Sequence, residues 1–182
     1  VKKVTQELSK KLQTKVSVKH VDISPFNSGI IGGVLVNDKK NDTLLYAGAA
    51  KVNITDWFFF KDKATLKYIG LNNAVVNFNR TDSVWNYQFL VDYFTSPKKS
   101  TSSKNGLEFD FKEMNLENIS FNKIDKWIGQ DLKASINKLH LTTDSVNLSA
   151  KKIFINSIDL TNPVFYQSNY TGNRPPKTKS TF

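Results

Sequence analysis

The side chains that could do acid–base or metal chemistry are few and scattered in this sequence. Its two histidines, His20 and His140, are far apart, and both have apolar neighbours in a strand-like pattern, which favours surface or edge positions. The aspartates that could act as catalytic carboxylates stand singly in separate segments: Asp22, Asp56, Asp110 and Asp125. The chain has no cysteine, no HExxH signature and no glycine-rich phosphate loop. We therefore expect no catalytic residue, no metal ligand and no cofactor, and we predict that the protein is not an enzyme.

Length and composition describe a folded protein without a membrane-spanning helix. The 182 residues suit one domain with its own core or a section of a repetitive structure. The chain is 39% hydrophobic and 23% charged, and no apolar run approaches the roughly 18 residues that a transmembrane helix needs. The sequence starts at Val1 without methionine or signal peptide, which suggests a processed protein or an excised fragment.

The net charge of +10 raises the question of a nucleic-acid partner. Almost all of this charge comes from lysine, because Arg80 and Arg174 are the only arginines. Recognition of bases and phosphates favours the bidentate guanidinium group, so we expect no nucleic-acid binding. Attraction to an anionic membrane surface remains compatible with the charge.

Residues 1–14 have the period of an amphipathic helix. Their apolar side chains form one stripe, and lysines occupy much of the other side. The stripe consists of Val1, Val4, Leu8 and Leu12. This face could pack on the opening of a sheet or lie near a membrane surface, and the segment could also be the end of a longer helix.

Residues 15–171 show alternating apolar and polar residues, which predicts half-buried antiparallel strands. The stretch Ser83–Thr95 differs, and we predict a short helix in its second half. It is followed at 96–106 by a Ser/Lys-rich segment that we expect to be a mobile loop. The segment 172–182 has two prolines and little to bury, so we interpret it as a tail or a linker to the rest of a longer parent chain.

One short phrase recurs along the chain at intervals of roughly 45 residues. LNNAVV starts at Leu71, LENISF at Leu116 and LTNPVF at Leu160, and a fainter copy, IGGVLV, starts at Ile31. Side chains of a regular strand alternate between its two faces, so in LENISF the leucine would point to one face and the isoleucine and phenylalanine to the other. A bulge or tight turn at the asparagine, or at Gly33 in the first copy, would return the apolar residues to one face. Repetition predicts a long curved antiparallel sheet, and an ordinary sandwich is the alternative.

Several stretches resemble a known family. KLQTKVSVKHVDISPF, DTLLYAG, DSVWNYQF and KIDKWIGQDLKASI, in this order and spacing, are similar to the N-terminal region of TamB-like proteins of Bacteroidetes, within the AsmA-like group. The resemblance implies a periplasmic, U-shaped β-groove in a very long parent protein that an N-terminal segment anchors in the inner membrane. It also implies phospholipid transport to the outer membrane and, for some members, a barrel-assembly partner there. This chain lacks that anchor before Val1 and most of the length, so transport would belong to the parent.

The resemblance implies a trough that accepts phospholipid acyl chains, and the apolar alternation is compatible with it, since each buried methylene contributes about 0.8 kcal/mol. The residues that we expect to line it are Val76, Ile119, Phe121 and Val164, with Phe78 and Phe109 as its walls. Whether the apolar side forms an open trough or a closed core is left open by the sequence. One alternative is a scaffold for outer-membrane protein assembly whose edge strands pair with a partner. Another is an exported adhesin or glycan-binding module, which would expose aromatic residues such as Trp57 or Trp127.

Overall fold

The computed structural model describes residues 2–23, 28–54, 63–95, 106–108, 112–147 and 152–176. Their elements, in chain order, are α1 (Lys2–Leu12), β1 (Val16–Ser17), β2 (His20–Ile23), β3 (Ser28–Asn37), β4 (Thr43–Ile54), β5 (Lys63–Arg80), α2 (Gln88–Thr95), β6 (Gly106–Glu108), β7 (Glu113–Asp125), β8 (Gln130–Asn147), β9 (Lys152–Thr161) and β10 (Val164–Asn169). The predicted mainly β fold, with an N-terminal helix and one short internal helix, is confirmed.

All ten strands belong to one open sheet. β1 and β2 both pair with β3, β6 and β7 with β5, and β9 and β10 with β8, so each of these three couples occupies one position across the sheet. Neighbouring positions follow the order of the chain. All pairs are antiparallel except β5 with β6 and β5 with β7, which are parallel. The prediction of an entirely antiparallel sheet was therefore wrong, because the connection that contains α2 returns the chain to the starting end of β5.

The parallel pair gives the repeat a physical form. Tyr68 lies beside Glu113 and Arg80 beside Asp125, so most of β5 faces the residue 45 positions later in β7. The Nδ2 group of Asn122 donates to the Oδ1 atom of Asn77 at 2.9 Å across this pair. Equivalent residues of the two copies thus become neighbours in space.

The phrase kinks the backbone where the sequence predicted an irregularity. Asn73, Asn118 and Asn162 have φ angles of 51°, 54° and 48°, and Gly33 has 62°. These left-handed conformations favour asparagine and glycine, which explains the residue types. The four left-handed residues align across the sheet with Gly48 and Asn137, which lie opposite them without a positive φ angle. We call this line the kink row: Gly33, Gly48, Asn73, Asn118, Asn137 and Asn162.

No residue is inserted at the kink. Ala47 pairs with Ala74 and Ala49 with Asn72, so the register is the same on both sides of Asn73. The inserted bulge that we considered is therefore absent there, and a left-handed residue replaces it. The kink still changes side-chain parity, because Leu71 packs in one cluster with Ala74.

Helix α1 is fixed to the sheet at its C-terminal end. Lys39 Nζ donates to the carbonyl oxygen of Leu12 at 2.6 Å, which satisfies a carbonyl group that the helix leaves unpaired. Leu12 is buried and Leu8 is half-buried, as expected for a helix that packs on the opening of the sheet. Val1 and the side chain of Val4 lie outside the described residues.

The other predicted segments have mixed outcomes. Helix α2 occupies the second half of Ser83–Thr95, as predicted. Gly106 begins β6, and residues 96–105 lie outside the described residues. The tail begins as part of the fold rather than as a linker, since Asn173 N and Arg174 N donate to the carbonyl oxygens of Lys126 and Trp127 in the β7–β8 turn.

Candidate functional site

One face of the sheet carries four successive rows of apolar side chains. The rows run across the strands on both sides of the kink row, and we call this surface the apolar face. Its rows are Val52, Ile69, Met114, Leu141 and Ile158; Ile31, Ala50, Leu71, Leu116, Leu139 and Leu160; Val34, Ala47, Ala74, Ile119 and Ile136; and Val36, Leu45, Val76, Phe121, Ala134 and Phe165.

The kink row makes this face continuous. Leu116 and Ile119 are three residues apart and would point to opposite faces of a regular strand. Both nevertheless pack in the cluster of Ala47 and Ala74, because Asn118 between them is left-handed. The row that lies next to the kink on the opposite face is largely polar: Asn72, Glu117, Lys138 and Thr161. The opposite face is mixed, because Leu35, Tyr46 and Val75 form a row on it, whereas the four rows of the apolar face are apolar throughout.

Exposure of the apolar face rises from its centre to one edge. Ala74 and Ile119 in the middle are 1% and 6% exposed, whereas Leu160 and Phe165 at the edge are 40% and 56% exposed. Most large side chains between them are half-buried, including Leu71. Among the described residues, the helices make their backbone contacts with β1, β6 and each other.

The dimensions of the apolar face suit an acyl chain. At about 3.3 Å per residue, the seven steps from Ile69 to Val76 span roughly 23 Å. A membrane hydrocarbon core is about 30 Å thick, so one leaflet requires roughly 15 Å of chain. The four rows are therefore long enough to contact an acyl chain along its full length.

Four of the predicted lining residues come together on this face. Val76 and Phe121 are direct neighbours in one row, and Ile119 lies in the adjacent row. The rings of Phe78 and Phe121 meet edge to face, with centroids 5.4 Å apart. Phe109 lies outside the described residues.

Val164 lies on the opposite face, in contrast to the prediction. It pairs with Ser135, which in turn pairs with Ser120, whereas its neighbour Phe165 pairs with Ala134 on the apolar face. The assignment failed by one residue because the left-handed position is Asn162 itself, as in the other copies. Phe165 stands three positions after that asparagine, as Val76 and Phe121 do, and this spacing could have identified it.

The apolar face ends at a buried ion pair. Arg80 Nε and Nη2 donate to Oδ1 and Oδ2 of Asp125 at 2.7 and 2.8 Å. The side chains are 17% and 1% exposed. The indole ring of Trp85 lies over the guanidinium group, 4.4 Å from centroid to carbon. The bidentate pair and the aromatic cover fix the direction of the arginine.

Electrostatics keep this pair ionised. Burial alone would raise the pKa of Asp125, but the hydrogen bonds from Arg80 and from the backbone N–H of Ile128 outweigh it and hold the pKa below its ordinary value. The hydrogen bond to Asp125 likewise raises the pKa of Arg80, against the effect of its own burial.

Further polar groups surround the pair at the same end of the face. Lys123 Nζ donates to Gln130 Oε1 at 3.1 Å and lies 4.0 Å from Asp125 Oδ2. Gln130 Nε2 reaches Asn169 Oδ1 at 3.5 Å. We call this group the polar end, and it consists of Arg80, Lys123, Asp125, Gln130 and Asn169. It follows the apolar rows directly along the strands.

The segment 81–87 folds against this end. The ring of Tyr87 packs on Phe78, with centroids 4.4 Å apart, and stacks on Trp85. Asn86 holds the segment in place, because its Nδ2 group donates to Asp38 Oδ2 and its backbone N–H donates to the carbonyl oxygen of Asn79. A cavity of about 340 Å³ lies between this segment and the β3–β4 turn.

The ion pair was missed in the sequence because Asp125 was considered alone. The signal was nevertheless present, since Arg80 and Asp125 are 45 residues apart, which is the spacing of LNNAVV and LENISF. Equivalent positions of two adjacent repeats become neighbours in the sheet. Opposite charges at equivalent positions therefore predict an ion pair.

The remaining candidate residues form no second site within the described ranges. The side chains of His20 and His140 are 60% and 41% exposed, as predicted. The described residues contain no cluster of three or more potential metal ligands. No described helix is both long and apolar enough to cross a membrane. Trp127 is half-buried, and Trp57 lies outside the described residues.

Comparison with protein-family models and with curated proteins finds no match for this chain. The similarity to TamB-like proteins therefore stays a prediction from the sequence. The function is inferred from the apolar face and the polar end.

Proposed function

We propose that this chain is a non-enzymatic section of a bacterial envelope protein, and that its apolar face holds phospholipid acyl chains. The observation that carries the proposal is the apolar face itself, four rows deep and six strand positions wide at its fullest rows. A surface this large would ordinarily be covered in a soluble domain, so it calls for an apolar occupant.

The energetics favour a long, flexible apolar ligand. Burial of ten methylene groups contributes about 8 kcal/mol. Association costs about 4–15 kcal/mol in lost freedom, so contact along several rows is required for a stable complex. Directional polar contacts along the chain are unnecessary, which agrees with the absence of polar side chains from the four rows.

The proposed setting follows from the resemblance and the charge. The chain would lie in the periplasm within a parent protein anchored in the inner membrane, and the parent would carry phospholipid towards the outer membrane. The lysine-rich surface would favour contact with anionic lipid headgroups. These assignments describe the parent protein, and the apolar face is the part that this chain contributes.

Photo-crosslinking at two adjacent residues tests the proposal. Phe121 lies on the apolar face, and Ser120 lies on the opposite face beside Val75 and Ser135. A photoreactive amino acid at each position, introduced into the parent protein in cells, should capture phospholipid at Phe121 and not at Ser120. Mass spectrometry of the captured adduct identifies the lipid class.

Two results would contradict the proposal. Equal lipid capture at Phe121 and Ser120 would show that the apolar face has no special role. The second contradicting result is that phospholipid is captured at neither position and that Phe121 forms no protein adduct either. It would show that the apolar face is covered within the protein itself.

A second candidate function is a scaffold for outer-membrane protein assembly. The observation in its favour is the edge of the sheet, where β9 and β10 pair only with β8 among the described residues. Every residue of β9 is exposed. An unpaired edge can accept a strand from a barrel-assembly partner by β-augmentation. Protein adducts at Tyr166 in β10, without lipid at Phe121, would favour this function.

A further inference from the structure

The polar end has the composition of an anion site. Arg80 and Lys123 provide two positive charges and Asp125 one negative charge, so these three side chains on the apolar-face side leave a net charge of +1. A further carboxylate, that of Asp131, accepts from the backbone N–H of Asp125 at 3.0 Å, but Asp131 pairs with Ile124 on the opposite face. Arg80 uses Nε and one N–H of Nη2 for Asp125, and its other N–H groups have no partner within the described ranges. Lys123 donates to Gln130 and approaches Asp125, which leaves donor capacity on its ammonium group. Both side chains are partly exposed, at 17% and 23%.

The location of these charges matches an amphipathic ligand. Along β7, Ile119 and Phe121 belong to the apolar face, and Lys123 and Asp125 follow on the same side of the strand. The distance from Phe121 to Lys123 is two residues, or about 7 Å. A molecule with its apolar chain on the rows would therefore place its polar group beside Lys123.

Two aromatic side chains mark the boundary between the apolar and the polar part. The ring of Tyr87 contacts Phe78 on the apolar side, and the indole of Trp85 lies over Arg80 on the polar side. Lys123 Nζ is 6.0 Å from the same indole ring. Tyrosine and tryptophan prefer such boundaries, since each has an apolar body and a polar group.

We propose that the polar end binds the phosphate of an anionic lipid headgroup, with Lys123 and the outer edge of the Arg80 guanidinium as its donors. This inference depends on the proposed function, because it assumes an acyl chain on the apolar face. The role of Asp125 is to position Arg80 and to limit the charge of the site.

The nearby cavity is a poorer site for an anion. Its ionisable lining residues include three lysine or arginine and three aspartate side chains, so their charges cancel. The set consists of Lys39, Lys40, Arg80, Asp38, Asp82 and Asp92. Arg80 belongs to both groups, so the difference is Lys123, which adds a positive charge at the polar end and does not line the cavity.

A comparison of two lipids with the same chains tests the inference. Short-chain phosphatidylglycerol and the matching diacylglycerol differ only in the phosphate-containing headgroup. We expect the protein to bind phosphatidylglycerol about tenfold more tightly, as for a charge-assisted contact. The substitution K123Q should remove most of this preference and leave the affinity for diacylglycerol unchanged, whereas K123R should preserve it.

K133Q serves as the matched control. Lys133 is an exposed lysine that pairs with Asn122, on the opposite face of the same two strands. It should have no effect on either lipid. An equal loss in K123Q and K133Q would show a general surface charge effect and would overturn the inference, as would equal binding of the two lipids by the unmodified protein.

The outcomes separate this inference from the proposed function. If neither lipid binds, the proposed function fails and the headgroup site fails with it. If both lipids bind equally, only the headgroup site fails. Inorganic phosphate provides a third probe, and binding of phosphate alone as tightly as phosphatidylglycerol would indicate a free-phosphate site instead.

Discussion

The same six-residue phrase occurs at the centre of the sheet in β7 and at its edge across β9 and β10. The backbone is alike in both places, with φ angles of 54° at Asn118 and 48° at Asn162. Burial differs, because Phe121 in the centre is half-buried, whereas Phe165, at the equivalent position at the edge, is 56% exposed. The phrase thus specifies a kink, whereas burial is decided by the strands on each side. The centre contributes stability, and the edge remains available for contacts.

The largest expected difference between centre and edge comes from a charge on the apolar face. Ile119→Asp places a carboxylate among Ala47, Ala74 and Leu116, where it has no partner. We expect a loss of about 4 kcal/mol or more in the free energy of unfolding. Phe165→Asp should cost less than about 1 kcal/mol, since this side chain is mostly in water. Urea unfolding of both variants measures the difference, and equal losses would contradict the distinction between centre and edge.

The second contrast concerns two aspartates, one buried at the end of β7 and one exposed in β9. Asp125→Asn leaves the Arg80 guanidinium without its counter-charge, and we expect a loss of about 3 kcal/mol at pH 7. Asp159→Asn, at an exposed edge position, should change stability by less than about 0.5 kcal/mol. Thermal or urea unfolding at neutral pH provides the comparison.

The pH dependence of the same variant gives a further check. Because the pKa of Asp125 is lowered in the folded protein, the unfolded chain takes up this proton first as the pH falls. The contribution of Asp125 is therefore complete above the unfolded pKa of about 4 and decreases below it. The difference between the unmodified protein and Asp125→Asn should be constant from about pH 5 to 7 and should shrink below about pH 4. A difference that shrinks as the pH rises would show that Asp125 is not the stabilising carboxylate.

Much of the fold could be predicted from the sequence, because the relevant signals are local. Alternation of apolar and polar residues predicted the strands, a stripe of apolar residues predicted α1, and the change of side-chain face around Asn118 predicted the kink. The form of the kink could not be predicted, since a bulge and a left-handed residue both restore one apolar face. The structure distinguishes them through the unchanged register around Asn73.

The features that could not be predicted depend on which strands become neighbours. Alternation is the same in parallel and antiparallel strands, so it cannot reveal that β5 and β7 run in parallel. The Arg80–Asp125 pair follows from that neighbourhood and was missed for the same reason. Val164 was misplaced because the side of a residue near a kink changes with one step of register. Local patterns therefore predicted the elements and most of the apolar face, and the polar end required the three-dimensional pairing.

The smallest expected contrast tests the kink itself. A β-branched residue disfavours the left-handed conformation, so Asn118→Val should destabilise the protein by about 1–2 kcal/mol. The free energy of unfolding of Asn118→Gly should stay within about 0.5 kcal/mol of that of the unmodified protein, because glycine adopts this conformation readily. A glycine, Gly33, already occupies the equivalent position in the first copy of the phrase. Asn162→Val should cost less than Asn118→Val, since among the described residues β9 and β10 each have one neighbouring strand, β8, and can adjust locally. Urea unfolding of the three variants ranks these effects. If Asn118→Val and Asn118→Gly are equally stable, the left-handed backbone does not account for the asparagine, and its hydrogen bond to Asn73 at 3.2 Å becomes the better explanation.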